Sequence, residues 1–158
     1  MAGYGGWLDH NFFLVIHGST RDDQAGDVSV PVAVSIGDAT GTNPTSIGGT
    51  ATWSGIMIGT DVNVTTTPTH QLRGDADITI ADFMNPSVDV AFTNIRNLNT
   101  GDIRNDMTWN GIPLTAGGFR QGVDEDSIQG AFFGPNHGEV GGVFERDQVI
   151  GAFGANRQ

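Results

Sequence analysis

Apolar and polar residues alternate with a period of two along most of the chain. Gly, Asn, Asp, Pro and Thr break the alternation at short intervals. The clearest stretch is Gln71–Ala81, where Leu72, Gly74, Ala76, Ile78 and Ile80 share one side and Arg73, Asp75, Asp77 and Thr79 the other. A helix would scatter those charges around its circumference, whereas a half-buried strand sorts them onto one face. Eight further segments read as strands: Trp7–His17, Val28–Ile36, Thr50–Ile58, Ser87–Ile95, Ile103–Ile112, Ile128–Phe133, Glu139–Glu145 and Gln148–Phe153. No segment carries the i, i+3, i+4, i+7 apolar repeat of a helix over ten or more residues.

The connections are mostly short enough for hairpins, and Arg146-Asp147 reads as a tight one between the last two strands. The pattern therefore predicts a single all-β domain over residues 1–158. Its architecture is an antiparallel up-and-down β-barrel of about eight strands. Trp7–His17 either closes the barrel or lies outside it as an extra N-terminal strand. Its middle is too apolar for a clean alternation, while Val28–Ile36 puts Val30, Val32, Val34 and Ile36 on one face. Trp53, Met57, Phe92 and Trp109 are the expected barrel filling, with Gly55, Gly74 and Ala76 at crowded positions. A barrel of this width is only just filled by side chains, so a large internal cavity is not expected.

The formal charge is −11, and all seven basic residues are arginine. Such a chain cannot supply the clustered cations that neutralise phosphates, which excludes a nucleic-acid binder. An anionic membrane surface would repel it, and no apolar run approaches the roughly 20 residues of a membrane helix. Residues 1–10 lack the basic start and apolar block of a signal peptide, so a cytoplasmic chain and one stripped of its export signal are both expected readings. There is no cysteine, hence no disulfide, thiolate site or cysteine-linked lipid.

Chemistry finds little purchase. His10, His17, His70 and His137 form no metal-binding spacing, and the acidic groups at 22–23, 75–77 and 124–126 match no calcium loop. There is no G-x-S-x-G elbow and no phosphate-binding glycine loop before a helix. The residues predict no catalytic site, no metal and no cofactor. Function is expected on the longer connections, 18–27, 37–49, 59–70 and 113–126, because loops on a rigid scaffold usually carry binding. Arg21, Phe119 and Arg120 are the candidate binding residues there, Phe119 as an anchor if exposed.

The C-terminal run contains Ile128, Gly130, Phe132 and Gly134, then His137, Glu139–Gly142 and Phe144, then Gly151–Ala155 and Arg157. This succession resembles the closing strands of the transferrin-binding-protein-B-like β-barrel domain, and the resemblance extends over roughly residues 50–157. It implies a non-enzymatic, solute-binding or protein-binding barrel, exposed on the outer face of a Gram-negative outer membrane or secreted. No contact residue carries over, because the loops bear no motif. The chain departs from the well-known receptors in lacking an anchor cysteine and additional handle domains. Three functions follow as expectations. One is a surface barrel that binds a macromolecule through loops or outer wall. The second is a lipocalin-like carrier of haem or another small apolar ligand, and the third an assembly module of a larger surface protein.

Overall fold

The computed structural model describes residues 2–22, 26–45, 49–62 and 71–158, and all their side chains except those of 2, 17–22 and 26–30. Eleven strands form two sheets. Strands β1 (Ala2–Trp7), β2 (Asn11–Asp22) and β3 (Gly26–Gly37) make an antiparallel sheet in the order β1-β2-β3. Eight more follow: β4 (Ala51–Asp61), β5 (Gln71–Ile80), β6 (Ser87–Asn97), β7 (Met107–Thr115), β8 (Gly118–Val123), β9 (Asp126–Phe133), β10 (Glu139–Arg146) and β11 (Val149–Arg157). Each pairs with its neighbour in sequence, and β11 closes onto β4, giving an eight-stranded antiparallel up-and-down barrel. A three-residue 3-10 turn, Pro135–His137, is the one helical element among the described residues.

The barrel interior is a stack of aromatic rings. Trp53 packs on Phe132 at 4.8 Å between centroids, and Phe92 meets Phe144, Phe153 and Trp109 at 4.7, 5.3 and 5.6 Å. Trp53, Met57, Phe92 and Trp109 are all buried in this core, as their alternation predicts. Tilted rings at these separations fill a narrow barrel while keeping favourable edge-to-face contact. Gly151 makes room for Phe144, since a Cβ there would lie inside that ring's envelope.

The N-terminal region is a sheet of three strands where the sequence suggests one extra strand. Trp7–His17 is not continuous: residues 8–10 turn the chain between β1 and β2. The sheet lies against the outer wall of the barrel. Phe13 and Val15 are buried there with Ile58 and Ala152, and Tyr4, Leu8, Ala33, Ile56 and Val143 pack around them. This explains why the outward side of β4 ends in Ile56 and Ile58: the wall is covered at that place. Gly154 faces outward directly beneath the Phe13 ring, and Gly141 beneath Asn11. The Tyr4 hydroxyl donates to the Gly59 carbonyl, and the His10 backbone N–H donates to both Glu139 carboxylate oxygens, at 3.0 and 3.1 Å.

Three connections differ from expectation. Most of the expected loop 113–126 is strand, turned at Ala116-Gly117, whose φ angles of 49° and 74° suit a tight primed hairpin. Residues 18–22 and 26–27 of the expected loop 18–27 continue β2 and β3, and residues 23–25 lie outside the described residues. The last hairpin turns at Asp147-Gln148, both at positive φ, one residue later than Arg146-Asp147.

Candidate partner-binding surface

Register decides which side chains of the N-terminal sheet face away from the barrel. Trp7 pairs with Phe12 and Phe12 with Ile36; Gly5 pairs with Leu14 and Leu14 with Val34; Gly3 pairs with Ile16 and Ile16 with Val32. Cross-strand partners share a face, as do alternate residues along a strand. These nine residues therefore form three rows on the side opposite to Phe13 and Val15. None is polar. Trp7 is 78% exposed, Ile36 59% and Val32 49%, while Phe12, Leu14, Ile16 and Val34 are partly exposed between them.

The sequence builds this face by a simple division. β2 reads as continuously apolar because its two sides do different things: Phe13 and Val15 bind the barrel, and Phe12, Leu14 and Ile16 face solvent. On β3 the stripe of Val32, Val34 and Ile36 points outward. The residues turned toward the barrel, Ala33 and Ser35, are small, which lets the sheet lie close to the wall. A contiguous apolar sheet face open to water is the kind of surface that marks an interaction site.

The three candidate residues are not brought together here. Phe119 lies on β8 and is only 3% exposed, packed at 6.2 Å from Phe132 inside the barrel. It fills the core and is no exposed anchor, because the alternation of β8 turns it inward. Arg120, next in sequence, faces outward and is exposed. Arg21 lies on β2 opposite Asp27, and its side chain is outside the described residues, as is all of His70. Of the acidic turn at 124–126, Asp126 is bound by Arg146 at 2.6 Å, and the Arg146 guanidinium sits 3.9 Å above the Trp109 ring. Burial, and then the nearby charges of Glu125 and Asp124, raise the Glu145 carboxyl above its ordinary range.

No helix among the described residues is long and apolar enough to cross a membrane. The barrel wall carries Arg73, Asp75 and Asp77 on its exposed side around an apolar interior, the reverse of the arrangement in a membrane-spanning barrel.

Comparison with solved structures gives the same architecture. A structure described as a surface lipoprotein matches 96% of this chain and 77% of its own, with a TM-score of 0.53 and 10% identity. The N-lobe domain of lactoferrin binding protein B of Moraxella bovis matches 99% of this chain and 80% of its own, with a TM-score of 0.51 and 11% identity. At such identity the likeness is one of fold, and it spans the N-terminal sheet as well as the barrel. No curated protein sequence matches significantly. The family model of the C-lobe and N-lobe β-barrels of Tf-binding protein B matches residues 44–157, which takes in all eight barrel strands, and the chain therefore belongs to that family.

Proposed function

We propose that this chain is a non-enzymatic bacterial binding protein, held at the cell surface or secreted, that engages a macromolecular partner on the outer face of its N-terminal sheet. The family is named for a protein that binds Tf, and the solved structures of the same fold include a surface lipoprotein and a lactoferrin binding protein. The observation that carries the reading is the uncovered apolar face around Trp7, Ile36 and Val32. Its design suits a protein partner better than a small ligand inside the barrel, because the interior is occupied by aromatic rings. Sheet and barrel act as one domain, with the barrel as the rigid support.

Affinity capture from the medium and neighbouring cell surfaces, using wild type and a Trp7→Ser, Ile36→Ser variant, tests this. Both side chains are exposed, so the variant should melt with the wild type. An exposed aromatic anchor at the centre of an interface typically contributes about 2 kcal/mol or more, so the variant should lose the retained protein. Equal retention by both chains, or no retained protein, would refute the reading.

A further inference from the structure

A cleft of about 330 Å³ lies between β3 and the barrel wall, lined by Ala33, Arg120, Gln129, Val143, Glu145 and Ile150 among others. One of its borders is a free sheet edge. Among the described residues β3 pairs with β2 alone in its sheet. Pro31 lies within β3 opposite His17. Proline has no N–H to give a neighbour, so it is accommodated in an edge strand with its nitrogen turned to the open side. Backbone groups of alternate residues point the same way, so Ala33 and Ser35 also direct their N–H and C=O out of this edge. Ala33 is the β3 residue that lines the cleft. Beyond β3 the chain crosses onto β9, where Ala39 bridges to Phe133 and Thr40 N–H donates to the Phe132 carbonyl at 2.9 Å. That crossing closes the cleft at one end and leaves the edge open along Ala33–Ser35.

From this geometry we propose that the cleft is a second binding site, which takes an extended peptide segment as a fourth strand on β3, with a basic side chain beside Glu145 and Asp124. Strand addition to an exposed edge draws affinity from main-chain hydrogen bonds and specificity from the side chains on either face. Here the wall supplies the specificity. Among the described residues, Asp124 and Glu145 both line the cleft against the one cation of Arg120, so its charge favours an incoming lysine or arginine. Burial first, and then the charges of Glu125 and Asp124, raise the affinity of Glu145 for a proton, and a cation seated beside it would offset the second of these. Pro31 limits the register, because an added strand finds no donor at that position. The site is separate from the outer apolar face and does not rest on it.

The probe is a short fluorescein-labelled peptide of alternating valine and threonine with one central lysine, titrated with the full chain and read by fluorescence anisotropy. Saturable binding is expected. It should weaken about tenfold or more, the scale of one lost charge-assisted hydrogen bond, when the lysine is replaced by glutamate and when alternate peptide nitrogens are methylated. Glu145→Lys, which reverses the charge, and Gln129→Trp, which fills the cleft, should weaken it similarly without lowering the melting temperature. Met84→Ser, at a 90% exposed residue remote in sequence from the cleft, should have no effect. Absence of saturable binding, equal binding of the methylated peptide, or binding that survives Gln129→Trp would overturn the proposal.

Discussion

Gly142 on β10 and Gly154 on β11 lie on adjacent paired strands, one register position apart, yet substitution should separate their roles. A Cβ on Gly142 would collide with backbone atoms of Gln129 and Gly130, which have no rotamer in which to retreat. Gly142→Ala should therefore destabilise the barrel by about 1–3 kcal/mol, seen as a lower midpoint in urea unfolding. A Cβ on Gly154 would instead meet the ring of Phe13, which belongs to the N-terminal sheet. Gly154→Ala should loosen that sheet first, so that protease cuts within residues 1–50 while the barrel remains intact. Glu145 gives a pH-dependent test. Its folded-state proton affinity is raised, so ionisation costs stability at neutral pH, and that cost fades as pH falls through the folded value toward the ordinary 4.5. Glu145→Gln should melt above wild type at neutral pH, and the two should converge in acid. These roles are partly readable in the sequence: the glycines and phenylalanines of the last strands resemble those that close a barrel at its seam. What the alternation could not reveal is that Gly141 and Gly154 serve the outside of that seam.

At the scale of elements, the legible strands were those with large apolar residues on one side only. β5 is the clearest, and its inward set of Leu72, Ala76, Ile78 and Ile80 is fully buried. β1 and β8 are not legible because AGYGGW and GFRQGV offer only two large apolar residues each, too few to show an alternation. For that reason Phe119 reads as a loop residue in the sequence. The valine stripe of β3 was legible as a stripe, but its direction was not. A period of two separates two faces without saying which of them meets a core, and here the small residues face the barrel. Tyr4 offers a check on how β1 is held. Burial raises its hydroxyl well above the ordinary 10, so the neutral form is favoured in the docked sheet. Removing that hydroxyl with Tyr4→Phe should destabilise sheet docking by about 1 kcal/mol, measurable as faster amide hydrogen exchange in β1 at unchanged exchange in β6.

The molecule as a whole is a closed barrel with one patch of its wall designed to be covered. Deleting residues 1–50 would leave Ile56, Ile58, Val143 and Ala152 facing water. The barrel alone should bind an apolar dye and self-associate on gel filtration, whereas the full chain should do neither through that wall. The all-β class, the barrel and the family can all be read from the chain, because closure depends on repeated short-range pairing. The division of the apolar residues between a buried and an open sheet face depends on register across strands distant in sequence, which periodicity does not contain. The three tryptophans are divided in the same way: Trp53 and Trp109 are sealed in the barrel, and Trp7 stands in solvent. The protein thus carries a two-colour optical gauge. Blue-shifted emission follows the integrity of the barrel, while the red-shifted, acrylamide-quenchable part belongs to Trp7 and should fade from quenching reach whenever something settles on the sheet.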